Sequence, residues 1–115
     1  MERVAIVGYY QVKPELDKMM SPYEMIFEAN RGALDFAGLK KKDISTVIGA
    51  TNDYYDGKTI SNCFKVECSG AYMADESKVE MDGAHAMKYG LMRILSGNHK
   101  LAVIYGTSMP SCFPY

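Results

Sequence analysis

The most regular pattern of apolar and polar positions lies in the second half of the chain, over residues 82–97. Apolar side chains recur there at the spacing of one helix face, at Ala84, Met87, Leu91, Ile94 and Leu95. Asp82 is a favourable N-cap, because its carboxylate can accept hydrogen bonds from the free N–H groups of a first helical turn. Gly97 can end the helix in the left-handed conformation. The pattern therefore predicts a helix over residues 82–97.

An uninterrupted apolar segment follows this helix at residues 101–106. Its first five residues, Leu101-Ala-Val-Ile-Tyr105, are all apolar, which is typical of a strand covered on both faces. A capped helix that leads directly into such a strand forms half of a parallel α/β unit. The sequence therefore places the core of the fold in residues 82–106.

Three further segments have the composition of strands. Residues 3–8 are a β-branched apolar run that ends in glycine, and they predict a buried first strand. Residues 46–51 predict a second buried strand, and residues 77–81 predict a third, short one. The chain between the second and third strands is irregular, with room for a short helix within residues 59–68.

The first helix has clear boundaries in the sequence. Ser21 is a favourable N-cap, Pro22 suits the first helical position, and Glu24 completes a capping box. Gly38 is placed to end the helix in the left-handed conformation. The resulting order, β-α-β-(α)-β-α-β, predicts an α/β fold with a mostly parallel sheet.

Composition narrows the classes of function. A chain of 115 residues with 48% apolar and 23% charged residues suits a single globular domain. The net charge of −1 gives no electrostatic attraction to nucleic acid or to an anionic membrane, so neither is expected as a partner. No apolar run approaches the roughly 18 residues that a membrane span needs. The first residues also lack the pattern of a signal peptide.

Neither the cysteines nor the first glycine indicate a cofactor site. Cys63, Cys68 and Cys112 are odd in number and do not have the spacing of a disulfide framework or a zinc site. We therefore expect no metal, and reduced thiols in a cytoplasmic protein. Gly8 follows the first predicted strand, but Tyr10 stands where a dinucleotide-binding G-x-G-x-x-G turn needs its second glycine.

Taken in order, these elements resemble the opening of thiolases. The matching motifs are Val4-Ala-Ile-Val-Gly8, Ser21-Pro22, Ala37-Gly38-Leu39, Asp43-Ile44, Val47-Ile-Gly49, Ile94-Leu-Ser-Gly97, the strand ending at Gly106, and Met109. The resemblance covers residues 3–111. It implies a thiolase-like, layered β-α-β-α-β fold in which a mostly parallel sheet packs on a central buried helix. It also implies that residues 1–115 are one domain that matches much of the N-terminal half of a longer thiolase-like subunit.

The resemblance implies a catalytic position at the start of the helix in residues 82–95. Thiolases carry a nucleophilic cysteine there, in a C-x-S-G motif. Backbone N–H groups and the helix dipole lower the thiol pKa, so that the thiolate can attack an acyl-CoA thioester. One alignment places Glu80 at this position and another places Gly83, so neither has a cysteine there. Cys68 stands in a similar local sequence, but it lies 29 residues before Gly97, too far for the family spacing.

Three side chains near this helix start are candidate catalytic residues: Glu80, Asp82 and His85. An ionised carboxylate, with His85 as acid–base partner or as donor to a thioester oxygen, suits acyl-CoA chemistry. The structural alternative is that Asp82 caps the helix, Glu80 flanks its positive end and His85 is a polar residue of the first turn. Tyr54 and Tyr55 are candidate substrate-binding residues, with packing in a loop as the alternative.

The function implied by the resemblance is carbon–carbon bond formation or cleavage in acyl-CoA metabolism. The reaction is acyl transfer or retro-aldol or Claisen chemistry within a larger subunit or complex, with a coenzyme A thioester as substrate and no bound cofactor. The missing cysteine leaves a second hypothesis, a non-catalytic thiolase-like scaffold that dimerises with or supports an active partner. The expected partners are acyl-CoA, a thiolase-like homo- or hetero-oligomer, and a zinc-ribbon/OB-type partner protein.

Overall fold

The computed structural model describes residues 2–15, 19–80 and 82–107. Within these ranges a parallel sheet contains three strands, β1 (Thr46–Ala50), β2 (Asp75–Val79) and β3 (Ala102–Gly106). The α-helices of the same ranges are α1 (Pro22–Ala37), α2 (Asp53–Asp56), α3 (Val66–Ser69) and α4 (Gly83–Leu95). Short 3-10 helices cover Lys41–Asp43 and Ser61–Lys65. The predicted α/β fold with a parallel sheet is confirmed.

β1 is the central strand, because β2 pairs with one of its edges and β3 with the other. Both pairs are parallel, and Val47 is aligned with Glu76 on one side and with Val103 on the other. Every residue of β1 is buried. This burial on both faces is the pattern expected for a parallel strand covered by helices.

The two faces of the sheet pack against different helices. Val47 and Tyr105 belong to a buried cluster with Ile26 of α1, together with Ile44 and Ala71. On the opposite face Ile48 and Ala50 pack with Ala86 of α4, and Val79, Tyr89 and Ile104 surround them. The fold therefore has three layers, with α1 and α3 on one side of the sheet and α4 on the other.

The boundaries of α1 are those that the sequence predicts. The Ser21 hydroxyl accepts a hydrogen bond from the Glu24 N–H at 3.2 Å, and the Glu24 carboxylate accepts one from the Ser21 N–H at 2.7 Å. Gly38 ends the helix with φ of 69°. Because both partners of the capping box are in place, local sequence alone sets where α1 begins.

α4 lies close to the sheet because two small residues face it. Ala86 and Gly90 are buried, and a Cβ at Gly90 would lie 2.6 Å from the Cδ1 atom of Ile104. The adjacent face of the helix carries the exposed side chains of Met87 and Leu91, two of the apolar residues whose spacing predicts this helix. α4 therefore contributes one buried face, and its outer face is open among the described residues.

The predicted first strand at residues 3–8 is not formed. Ile6 and Val7 are 76% and 53% exposed, and no residue of this run belongs to a strand of the described structure. Both edges of β1 are occupied by β2 and β3, so this run cannot pair with the central strand. The run instead leads into a segment that packs on α1, where Gly8 lies against Ala33.

Two strands differ from their predictions in position or burial. β2 ends at Val79, two residues before the predicted end, and begins at Asp75. β3 was expected to be covered on both faces, but Tyr105 is its one buried residue. The physical reason is its place at the edge of the sheet, where neighbours cover it from one side only.

One further prediction is met in a different form, and others concern residues that the structure does not describe. The short helix predicted within residues 59–68 is present as the 3-10 helix Ser61–Lys65 and α3. Met109 and Cys112 lie outside the described residues, as does Met81, the last residue of the predicted third strand. In the described part of the chain, no helix has the length and hydropathy needed to cross a membrane.

Candidate functional site

The candidate site lies at the carboxyl edge of the sheet. Thr51 follows β1 directly, Glu80 follows β2, and α4 begins three residues after Glu80. In open parallel sheets, the crevice outside the carboxyl ends of the strands is the usual place for a ligand. The three candidate catalytic residues therefore stand at the edge of the sheet where chemistry is expected.

Asp53 organises the loop at this edge. Its carboxylate accepts hydrogen bonds from the Ile60 N–H at 2.9 Å, the Ser61 N–H at 3.1 Å and the Ser61 hydroxyl at 2.7 Å. It also forms an ion pair with Lys78. The hydrogen bond from Lys78, followed by those from Ser61, holds the pKa of the Asp53 carboxyl well below its usual range. Asp53 is therefore a fixed negative charge that closes the loop over residues 53–61.

Glu80 joins the same cluster. One of its carboxylate oxygens accepts a hydrogen bond from the Asp53 N–H at 2.6 Å, and the other pairs with Lys78. Burial would lower the pKa of the Lys78 ammonium, but hydrogen bonds to Asp53 and Glu80 outweigh it, so this pKa is raised. Two carboxylates thus share one ammonium, and the cluster of Asp53, Lys78 and Glu80 carries one net negative charge.

Asp82 and His85 form a separate pair at the start of α4. The Asp82 Oδ1 atom accepts hydrogen bonds from the Ala84 N–H at 3.0 Å and the His85 N–H at 3.2 Å. It also accepts a hydrogen bond from the His85 Nδ1 atom at 3.0 Å. The side-chain hydrogen bond from His85, then the backbone bond from the same residue, lowers the pKa of Asp82. The predicted N-cap is confirmed, and the same carboxylate orients the imidazole.

The structure brings two of the three candidate catalytic residues into contact. Asp82 bonds to His85, whereas within the described residues no hydrogen bond or ion pair joins Glu80 to either of them. Because both carboxylates are engaged, Glu80 with Asp53 and Lys78 and Asp82 with α4, each already has a structural role. Their catalytic roles stay predictions.

Tyr54 and Tyr55 lie on α2 at the same edge of the sheet. Their rings pack edge to face, with centroids 5.5 Å apart, and Tyr54 is 85% exposed. A cleft of about 50 Å³ opens nearby, lined by Pro22, Tyr23, Asp56, Lys58, Ser61, Phe64, Lys65 and Thr107. This cleft is far smaller than the roughly 300 Å³ of a small-molecule site, and neither tyrosine lines it. Their substrate contacts stay a prediction.

Cys68 does not have the surroundings of an activated thiol. It is half-buried in α3, and its Sγ atom donates a hydrogen bond to the Lys65 carbonyl at 3.2 Å. Burial raises the pKa of this thiol. Cys63 is exposed. Among the described residues, no group of three or more histidine, cysteine, aspartate or glutamate side chains is placed to hold a metal ion.

A buried ion pair near the candidate site was not identified from the sequence. The Lys65 ammonium lies 2.5 Å from an Asp56 carboxylate oxygen, with 6% and 16% of the two side chains exposed. Lysine is rarely buried unless it is paired, and the two partners are nine positions apart in the chain. No local spacing rule covers such a pair, so the sequence contains no signal for it.

A second polar network lies at the opposite, amino edge of the sheet. Arg93 pairs with Asp75, which also accepts a hydrogen bond from the Thr46 hydroxyl at 2.6 Å. The Arg93 Nη2 atom lies 2.8 Å from His99 Nε2, and His99 Nδ1 lies 2.8 Å from the Ser45 hydroxyl. Because a guanidinium only donates, Nε2 accepts and Nδ1 carries the proton. This network ties α4 to the starts of the strands.

The comparison with solved structures identifies the fold. A crystal structure of 3-oxoacyl-[acyl-carrier-protein] synthase III from Aquifex aeolicus VF5 is similar, with a TM-score of 0.63 and 19% sequence identity. The match covers 77% of this chain but only 30% of the synthase chain. No protein-family model matches the sequence, and no curated protein matches it. The chain therefore has a thiolase-like α/β fold.

Proposed function

We propose that this chain is part of a thiolase-like protein that makes or breaks a carbon–carbon bond in an acyl-CoA thioester. The observation that carries the proposal is the Asp82–His85 pair at the N-terminus of α4. This pair stands at the carboxyl edge of a parallel sheet whose fold is similar to that of a 3-oxoacyl synthase. Fold alone does not imply function, so the proposal depends on the chemistry of these side chains.

His85 is the residue suited to proton transfer. Asp82 accepts the hydrogen bond from Nδ1, which leaves Nε2 as the ring nitrogen that takes up or returns a proton. An imidazole held in one orientation by a carboxylate is the arrangement that general acid–base catalysis commonly uses. In this proposal, His85 removes a proton from the carbon next to the thioester carbonyl, or from the hydroxyl of a retro-aldol substrate.

Three backbone N–H groups at the N-terminus of α4 are already bonded to Asp82, so they are not free to bind a substrate. The Ala84 and His85 N–H groups donate to Asp82, and the Ala86 N–H donates to the Asp82 carbonyl. These groups therefore stabilise a thioester oxygen only if Asp82 moves. Glu80 likewise reaches a substrate only after releasing Lys78 or the Asp53 N–H. Both carboxylates act through the local electric field until such a movement occurs.

In this proposal, further protein contributes most of the substrate pocket. The cleft of about 50 Å³ is too small for a coenzyme A thioester, and the chain spans about 30% of the length of the similar synthase. In this proposal, a thiolase-like homo- or hetero-oligomer completes the site, and a zinc-ribbon/OB-type protein is a further partner. Coenzyme A enters as part of the substrate and not as a bound cofactor.

The test compares two single variants of the whole protein that contains this chain. His85→Ala should abolish acyl-CoA-dependent bond formation or cleavage, whereas Lys88→Ala, on an exposed position of the same helix, should retain it. Calorimetric titration with acetyl-CoA measures binding separately from turnover. Full activity of His85→Ala would refute the assignment of the catalytic base.

A second candidate function is a non-catalytic scaffold that supports an active thiolase-like partner. The specific observation in its favour is Cys68, whose half-buried thiol has a raised pKa and is not placed at the start of α4. A scaffold would show neither acetyl-CoA binding nor thioester labelling, and it would still increase the activity or stability of its partner. Binding of acetyl-CoA by the whole protein, weakened by His85→Ala, would exclude the scaffold.

A further inference from the structure

We propose that His99 is a proton-driven switch at the amino edge of the sheet. When its ring takes up a second proton, His99 releases Arg93 and donates a hydrogen bond to the Asp75 carboxylate instead. Arg93 then turns its guanidinium and keeps Asp75 through a different set of donors. The proposal concerns a conformational device in the fold and is independent of the proposed function.

In the neutral ring of His99, each nitrogen has one role. Nε2 lies 2.8 Å from the Arg93 Nη2 atom, and Nδ1 lies 2.8 Å from the Ser45 hydroxyl oxygen. Because a guanidinium only donates, Nε2 is the acceptor and Nδ1 carries the single ring proton. The His99 side chain is 13% exposed, so its contacts are mainly with protein groups.

A second proton on the ring is incompatible with the contact to Arg93. The proton adds to Nε2, so that an N–H group then faces the N–H groups of a guanidinium that stays charged. Asp75 offers the alternative partner, because its Oδ2 atom lies 3.8 Å from Nε2. A movement of the ring by about 1 Å brings this pair to hydrogen-bond distance. Proton uptake therefore changes the partner of Nε2 from a donor to an acceptor.

The neutral arrangement leaves Arg93 with an unmet hydrogen bond. Its Nε atom is buried and makes no hydrogen bond of good geometry within the described residues, which destabilises this arrangement. Its Nη2 atom donates to both Asp75 and His99. When His99 no longer accepts from Nη2, the guanidinium is free to turn and present Nε and Nη2 together to the carboxylate, as arginine commonly does. This gain offsets the lost contact with His99, so the two arrangements can exchange.

Asp75 has room for both partners. Arg93 and the Thr46 hydroxyl donate to the same carboxylate oxygen, Oδ2, and no hydrogen bond between described residues uses Oδ1. Among the described residues, the charged groups in contact with the ring are Arg93 from α4 and Asp75 from β2. The Tyr89 ring lies against the guanidinium, 5.9 Å from its centroid. The ring thus lies between one cation and one anion, and its own charge selects between them.

The first experiment follows the wild-type protein, labelled with 15N in histidine and arginine, by NMR from pH 8 to pH 5, the range in which histidine changes charge. At pH 8 the His99 ring should carry its proton on Nδ1. The Arg93 Nε signal should then shift with the same midpoint as the His99 ring signals. A proton on Nε2 at pH 8, or an Arg93 signal that stays constant while His99 titrates, would overturn the proposal.

Two variants assign the response to one ring, because the chain contains two histidines, His85 and His99. His99→Gln keeps a carbonyl oxygen that can accept from Arg93 but takes up no proton in this range, so the Arg93 shift should disappear. His85→Gln is the matched control and should keep the shift. An Arg93 response that persists in His99→Gln, or is lost in His85→Gln, would contradict the switch. The wild-type titration requires no substitution, so it tests the proposal even if His99→Gln does not fold.

Discussion

The hydroxyl end of Tyr105 lies over Gly49, its aligned partner on the neighbouring strand. The two residues are in register between β3 and β1, and a Cβ built on Gly49 would lie 2.7 Å from the Tyr105 hydroxyl oxygen. A side chain at position 49 would therefore occupy the space of the tyrosine ring. Gly49 is needed for this packing and not for an unusual backbone angle.

Replacing Gly49 should destabilise the protein by overpacking. We expect Gly49→Ala to lower the free energy of unfolding by about 1–3 kcal/mol, because the ring and β3 must move to admit the methyl group. Urea denaturation measures this change. Gly83→Ala is the matched control, since nothing lies within 4 Å of its Cβ position. A loss no larger than that of Gly83→Ala would show that Tyr105 moves aside without cost.

Removing the Tyr105 hydroxyl should cost nothing at neutral pH. This oxygen is buried, and within the described residues no hydrogen bond of good geometry reaches it; the nearby Ser69 hydroxyl donates its proton to the Val66 carbonyl instead. An unpaired buried polar group destabilises the folded state, so Tyr105→Phe should match or exceed the wild-type free energy of unfolding at pH 7. A substantial loss in this variant would mean that the hydroxyl finds a partner in solution.

The same tyrosine should make stability fall in alkali. Burial raises the pKa of Tyr105 above its ordinary value. The unfolded state therefore releases the phenolic proton first, at about pH 10, and above this pH the wild-type free energy of unfolding decreases. Tyr105→Phe should decrease less between pH 9 and pH 11, as measured by urea denaturation at each pH. Parallel curves for the two proteins would contradict the expectation.

Breaking the Lys65–Asp56 pair from one side should be costly. Both side chains are largely buried, so Asp56→Asn leaves an uncompensated charge on Lys65, and we expect a loss of about 3–5 kcal/mol. Lys65→Met with Asp56→Asn should recover much of this loss, since neither charge then remains. The exposed pair Arg31–Asp35 provides a control, because Asp35→Asn should change stability by less than about 1 kcal/mol. Equal effects at the two pairs would argue against burial as the cause.

Asp53 should contribute to the loss of stability in acid. Its pKa is lowered in the folded state, so its contribution is complete above the ordinary aspartate pKa of about 3.9. That contribution is lost as the pH falls and the carboxyl becomes protonated. Between pH 5 and pH 2, wild-type stability should therefore fall more steeply than that of Asp53→Asn. Hydrogen exchange at residues 53–61 should be faster in Asp53→Asn at pH 7, and an unchanged rate would show that other contacts hold the loop.

The helices illustrate how much of the fold the local sequence specifies. The capping box at Ser21 and the N-cap at Asp82 satisfy backbone groups only two or three residues away. Such contacts depend on spacing alone, so they could be predicted without knowledge of the fold. The apolar content of β1 and β3 likewise predicts strands, because extended apolar runs need cover on their faces.

The placement of the strands needed the tertiary structure. Residues 3–8 have as much strand character as residues 46–51, but the positions on both sides of β1 are filled by β2 and β3. Strand propensity cannot express this competition, because pairing depends on segments that are distant in sequence. β3 shows the same limit. Its own apolar residues predict cover on both faces, but it is only partly buried, because the order of the strands places it at the edge of the sheet.

In the candidate site, too, some contacts follow from the sequence and others only from the tertiary structure. The sequence alone placed Glu80, Asp82 and His85 near one helix start, and it determined the Asp82 cap, because these residues are close along the chain. Only the tertiary structure decided that Glu80 contacts Asp53 and Lys78, which are 25 positions apart in the chain. It also decided that Asp82 forms its side-chain hydrogen bond with His85. It also brought together Ser45 and His99, which are 54 positions apart. Contacts of this range arise from chain topology, since the parallel sheet places the ends of distant strands along common edges.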